Sequence, residues 1–199
     1  MDYSAGMVSC LFWLSETRKT AELMLQGKTI EKIRVLAVTE NIYQVKAADR
    51  AKRIAGVSWK RLSSLSKELL EILVVCDLPT AKLIVLLSIM KTDTLFFEFM
   101  HTVFKSAVIL GEPTLSDGGI NVFFDEKIRQ SETVAAWSDR AIKKLKQTYS
   151  KLLIEAGLLT CASDKKIQVP MIDYKLRSII LRAGFANCLS TLTGEELDG

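Results

Sequence analysis

The chain has 199 residues, enough for one large domain or two small ones, and 49% apolar with 25% charged residues is the balance of a chain that buries a core. Only three prolines and ten glycines interrupt a sequence rich in Ala, Leu, Lys, Glu and Ile, which favours helices because most of these side chains lose little rotamer freedom on a helical backbone. The first residues lack the basic stretch and apolar core of a secretory signal, and the longest apolar run, Leu83 to Met90, is bounded by Lys82 and Lys91. A cytoplasmic protein that makes no use of a membrane is therefore expected.

Helix signals follow in chain order. Ser15 is expected to cap a helix from Glu16 to Gln26, ended by Gly27, and Thr29 to open one from Ile30 to Glu40, with Asn41 as its stop. From Ala47 to about Leu65, Ile54, Ala55, Ser58, Leu62 and Leu65 share one face. Ser66 caps a short helix to Cys76, Pro79 suits the first turn of the next, which ends near Met90, and Asp93 caps Thr94 to Leu110 before Gly111. Six helices with short turns predict a compact antiparallel bundle over 1–110.

Residues 111–119 are rich in Gly, Pro, Ser and Asp and read as a linker. Beyond it, Ile120 to Gln130 reads as a helix and Ser131 to Trp137 as a turn with a short helical piece. Ser138 caps a strong helix, Asp139 to Ala156, stopped by Gly157. The apolar runs 158–160 and 167–169 flank the polar turn 162–166 and predict a small β-hairpin. Pro170 ends it, and Asp173 to Ala183 looks helical. Helix, turn, helix, hairpin is the order of a winged-helix module, expected over 112–185, with 186–199 as a C-terminal tail that frays from Thr193. The fold class expected is thus all-α, a helical bundle plus a winged-helix-like domain.

The net charge of +4 is modest, but it is segregated. Residues 46–67 carry seven basic groups against one acid, and 138–182 carry ten against four, with an acidic stretch between them. Such segregation on a folded chain predicts at least one basic face. On the helix 139–156, Ile142, Leu145, Tyr149, Leu152, Leu153 and Ala156 form an apolar stripe, and at about 100° per residue Arg140, Lys143, Lys144, Gln147 and Lys151 fall opposite it. A helix anchored by one side and basic on the other suits a phosphate-lined groove. Gln147, and Arg140 near the helix start, are placed to read base edges, while Lys165 and Lys166 at the hairpin tip would reach an adjacent backbone as a wing does. In the first basic block, Lys46, Arg53 and Lys60 lie opposite the Ile54–Leu62 stripe, and Arg50 and Arg61 flank it. Arg50, Arg53, Lys60 and Arg61 are the candidates there for nucleic-acid contact.

No phosphate-cradling glycine loop, metal motif or histidine beside a nucleophile is found, so neither catalysis nor a cofactor is expected. Cys10, Cys76, Cys161 and Cys188 are scattered, as buried small apolar residues are, and His101, the single histidine, falls in an apolar helical pattern as a partly buried residue. Asp125 and Glu126 diverge around a helix and read as surface ion-pair partners rather than metal ligands.

Several stretches, in order, carry a resemblance. They are Tyr3-Ser4-Ala5-Gly6, Leu14-Ser15-Glu16-Thr17-Arg18, Leu86-Leu87, Lys91-Thr92-Asp93 and Phe96-Phe97-Glu98-Phe99. Two more follow, Gln130-Ser131-Glu132-Thr133-Val134-Ala135-Ala136-Trp137-Ser138 and Lys144-Leu145-Lys146-Gln147-Thr148-Tyr149. With these the chain resembles the BrxA family, small proteins of the BREX bacteriophage-defence systems. The resemblance implies a helical protein likened to the NusB-type antitermination fold, acting with other BREX components and binding nucleic acid rather than catalysing a reaction. It supplies no catalytic residues. Read from the residues alone, Ser15 is a helix cap and Arg18 is free to turn toward an acidic partner or a phosphate. Duplex DNA is the expected partner. RNA, an acidic protein docked on the basic faces, and a second copy of the chain are the alternatives.

Overall fold

A computed structural model describes residues 3–196. They form a 3-10 turn, Ala5–Ser9, and then α1 (Leu14–Leu25), α2 (Ile30–Thr39), α3 (Ala48–Leu62), α4 (Lys67–Val75), α5 (Leu78–Thr92) and α6 (Thr94–Phe99). After a π-helical turn, Met100–Phe104, come α7 (Lys105–Ile109), α8 (Asp117–Gln130), α9 (Glu132–Ala135), α10 (Asp139–Ala156), α11 (Tyr174–Arg182) and α12 (Ala186–Thr193). The fold is all-helical, and among the described residues no strand occurs. The chain divides into two units, Phe12–Ser88 and the combination of Met1–Leu11 with Ile89–Gly199.

Within Phe12–Ser88, α3 packs on α1 and α2, and α4 packs on α1. Ile54, Ala55, Ser58 and Leu62 of α3 are buried, as their shared face predicts, and Ala51 is buried with them. Thr29 and Ser66 cap α2 and α4, accepting from the amides of Lys32 at 3.4 Å and Leu69 at 3.3 Å. Ser15 does not cap. Helix α1 begins two residues earlier than expected, after Trp13, whose left-handed backbone (φ 51°) and buried indole fix the entry of the chain without a side-chain cap.

In the second unit the expected single helix from Thr94 to Leu110 is one run interrupted by the π-helical turn that carries His101. His101 is exposed rather than partly buried; its Nδ1 lies 3.3 Å from Thr191 Oγ1 and its ring stacks on Phe97. The core gathers Phe96, Phe99, Phe123, Phe124 and Tyr149; Phe96 stacks on Phe99 at 6.4 Å, and the other ring pairs meet edge-on or tilted with centroids 5.0 to 5.6 Å apart. The N-terminal 3-10 turn packs on α10. Tyr3 Oη donates to Glu98 Oε2 at 2.7 Å, and Lys127 Nζ reaches the same oxygen at 2.6 Å.

Three stretches depart from expectation. The predicted hairpin is reduced to isolated bridges, Leu159 with Ile167 and Thr114 with Lys166. The reason lies in the stretch expected to be a linker: Pro113 and Leu115 share backbone bonds with Ile167 and Lys165, at 3.0 Å each, so three short segments pair irregularly instead of two pairing regularly. Residues 111–119 also include Ser116, which caps α8 three residues before the expected start. Finally, much of the predicted C-terminal tail is the helix α12, with Cys188, Leu189 and Leu192 buried. Gly194 follows it at φ 75°, where a Cβ would lie 2.9 Å from Val108. Of the stretch expected to fray, residues 197–199 lie outside the described residues.

Candidate nucleic-acid interface

Helix α10 is fixed at both ends and along one side. Ser138 Oγ accepts from the Ala141 amide at 3.3 Å, and Gly157, at φ 83°, closes the C-terminus in the left-handed conformation that glycine adopts without strain. Ile142, Leu145, Thr148, Tyr149, Leu152 and Leu153 are each at most 7% exposed. Burial of a side chain such as Leu145 contributes about 1.5–3 kcal/mol. The stripe read from the sequence is therefore the anchored side, apart from Ala156, which is half-buried.

The opposite side carries Arg140, Lys143, Lys144, Gln147 and Lys151, all exposed. Lys151 lies 3.6 Å from Glu155 one turn on, and Arg140, Lys143 and Lys144 form no ion pair with a described residue. A row of solvated cations on a rigid helix can neutralise a line of phosphates without reorganising.

The neighbouring turn, 160–166, is ordered by its own side chains. Thr160 Oγ1 and Cys161 Sγ donate to Asp164 Oδ1, and these bonds hold the Asp164 carboxyl below the usual carboxylate range. Lys165 pairs with Asp117 and keeps only 17% of its side chain exposed. Lys166 is 66% exposed and 3.9 Å from Asp164, so of the two lysines it is the one that stands in solvent.

In Phe12–Ser88, α3 exposes Arg50, Arg53 and Lys60, joined by Lys52, and the Arg34 guanidinium of α2 lies over Gly56. Arg61 does not belong to this surface. It is 2% exposed, its Nη1 donates to the Phe12 carbonyl at 3.2 Å, and its guanidinium stands 5.9 Å from the centroid of the Trp13 ring. Arg18, expected to face outward, is also used internally. Its Nη2 donates to the carbonyls of Val74 and Cys76 at 2.9 Å each, capping the C-terminus of α4.

Beside α10 lies a cleft of about 470 Å³, walled by the first turn of α8 and by the 160–166 turn. Sequence reading missed Lys146 and Asn121 here. Lys146 Nζ donates to Asn121 Oδ1 at 2.8 Å and rests against the Phe124 ring. The two residues are 25 positions apart, and only the packing of α8 beside α10 brings them together. Among the described residues no three His, Cys, Asp or Glu side chains gather as a metal site, Asp125 and Glu126 form no ion pair, and no helix is long and apolar enough to cross a membrane.

Fold and surface together define an all-helical protein that presents basic helix faces. Residues 1–184 match the family described as BrxA, and the chain belongs to that family. It is 39% identical over 181 residues to a BREX protein BrxA of Bacillus cereus (strain H3081.97), covering 90% of each chain. It is 23% identical over 181 residues to a BREX protein BrxA of Escherichia coli O9:H4 (strain HS), covering 91% of this chain and 85% of that one. The crystal structure of an uncharacterized protein from Magnetospirillum magneticum has the same fold, with a TM-score of 0.84 at 21% identity over 97% of this chain and 99% of that one.

Proposed function

We propose that this protein is a non-catalytic, cytoplasmic accessory of a BREX-type phage-defence system that binds duplex DNA mainly through backbone phosphates. Membership of the BrxA family supports the setting and implies other BREX components as partners. The observation that carries the reading is the division of α10. Its apolar side is sealed in the core, while Arg140, Lys143, Lys144 and Lys151 stand in solvent on the other. In this reading Gln147 and Arg140 meet base edges, Lys166 acts as a reduced wing beside Lys165, and Arg50, Arg53 and Lys60 offer a further phosphate-binding face.

Reversing Lys143, Lys144 and Lys151 to glutamate tests it. The triple variant should keep its stability to within about 0.5 kcal/mol, because these side chains are exposed. It should lose duplex affinity by tenfold or more on every sequence tried, in rough proportion to the phosphates no longer neutralised. Unchanged affinity in a folded triple variant would remove α10 from the interface.

A second reading, docking to another protein of the defence system, is favoured by the run between the 160–166 turn and α11. Met171 is fully exposed, Tyr174 is 84% exposed and Val169 48%. Apolar groups crowded on a surface mark sites of association.

A further inference from the structure

We infer that the cleft between α8, α10 and the 160–166 turn is a binding site for one nucleotide unit, a base carried on a sugar phosphate. Its volume of about 470 Å³ falls in the ~300–1,000 Å³ range of small-molecule sites. Its walls are chemically divided. Ile120, Ile154 and Ala162 supply apolar surface, while Lys146, Lys151 and Lys165 bring three ammonium groups, of which Lys165 pairs with Asp117 and Lys151 lies 3.6 Å from Glu155. An inorganic anion would leave the apolar wall unused, and an apolar ligand would leave the ammonium groups and amides of the other wall unused. A molecule with both a flat, weakly polar body and a phosphate uses both.

The amides support a base. Asn121 Oδ1 accepts from Lys146, which leaves its NH2 group to donate, and Gln147 at the rim offers both a donor and an acceptor. A nucleobase edge presents the matching mixture. The phosphate end falls to Lys165 and Lys151. Lys165 is held beside Asp117 at the first turn of α8, so an entering phosphate takes over the ammonium that the carboxylate now pairs. Lys151 and Gln147 are shared with the basic side of α10, but the site does not depend on duplex binding there.

The experiment is a titration of the isotope-labelled full chain with deoxyadenosine 5′-monophosphate, followed by amide NMR, beside inorganic phosphate and deoxyadenosine as separate probes. Saturable shifts at Asn121, Gln147 and Ala162 with the nucleotide, at least about tenfold tighter than with either fragment, are expected. Two variants fill the cleft without removing a charge: Ala162→Trp on the exposed turn and Asn121→Trp on the exposed side of α8. Each should weaken the nucleotide about tenfold or more while duplex affinity stays within about twofold. The variant with Lys143 and Lys144 reversed should do the opposite, so failure of the cleft and failure of duplex binding read out separately. A single-stranded oligonucleotide that competes with the mononucleotide identifies an unpaired residue of a strand as the natural occupant, and its failure to compete identifies a free nucleotide. No saturable response to the nucleotide, or a response that neither tryptophan variant weakens, would overturn the assignment.

Discussion

Arg61 Nη1 donates to the carbonyl oxygen of Phe12 at 3.2 Å, which places a guanidinium inside the helical unit 12–88 instead of on its basic surface. Arg61→Ala leaves the buried Phe12 carbonyl without this donor and removes the cation from the Trp13 ring. A loss of about 2–4 kcal/mol follows from a buried unsatisfied acceptor together with a cation–π contact. Urea denaturation checks it. Reversing Arg50, Arg53 and Lys60 to glutamate should change stability by no more than about 0.5 kcal/mol, because all three are exposed.

Arg18 makes a second structural prediction. Its guanidinium closes the two carbonyls of Val74 and Cys76 at the end of α4. Arg18→Ala should cost about 1.5–3 kcal/mol, the range for hydrogen bonds to a charged group. Amide hydrogen exchange should quicken first in residues 72–76, and nucleic-acid affinity at a temperature where the variant is folded should not move. Weakened binding with unchanged exchange would return Arg18 to the surface role that its sequence position predicts.

Tyr149 predicts a pH dependence. Its hydroxyl is fully buried and has no hydrogen-bond partner among the described residues, and burial, reinforced by Asp93 and Glu98, holds the phenol well above the usual tyrosine range. The unfolded chain therefore ionises Tyr149 first. The stability it contributes is complete below the ordinary tyrosine value of about 10 and is lost as pH rises through the higher folded value. Tyr149→Phe should be neutral or stabilising by up to about 1 kcal/mol at pH 7, since it removes an unsatisfied polar atom of the same shape. It should also flatten the fall in stability above about pH 10. Denaturant midpoints at neutral and alkaline pH decide it, and a variant that loses stability at neutral pH would show that the hydroxyl has a partner.

Much of this was legible in the sequence where the deciding interactions are local. The caps at Thr29, Ser66, Asp93 and Ser138 act over three residues, and each accepts the amide bond its position predicts. The two sides of α10 follow from helical period alone. Arg61 is not legible there for a different reason. It lies seven residues after Ile54, within the buried stripe of α3, but its acceptor comes from Phe12, 49 positions away, and no periodicity reveals a distant carbonyl. The same holds for 111–119, whose turn-forming composition hides its pairing with 165–167, and for α12, which Lys105 and His101 tie down through Ser190 and Thr191.

Gln147 separates specificity from affinity. It is exposed on α10 between Lys144 and Lys151 and carries no charge. Gln147→Ala should leave binding to unrelated duplexes nearly unchanged. At a preferred sequence it should remove about 1–3 kcal/mol of discrimination, the worth of one amide–base pair. Competition between duplex libraries measures it, and a uniform loss across all sequences would make Gln147 a backbone contact.

If α10 meets DNA through phosphates, duplex affinity must fall steeply as salt rises. Fluorescence anisotropy of a labelled duplex, repeated with single-stranded RNA, gives log affinity against log salt concentration. With Arg140 assigned to a base edge, Lys143, Lys144 and Lys151 are the three exposed cations that α10 offers to phosphates. At about −0.9 per phosphate neutralised they predict a linear fall with a slope of roughly −3 for the duplex, reduced by about one for each lysine removed. Tight binding with a flat salt response, or a slope that the lysine variants leave unchanged, would contradict it.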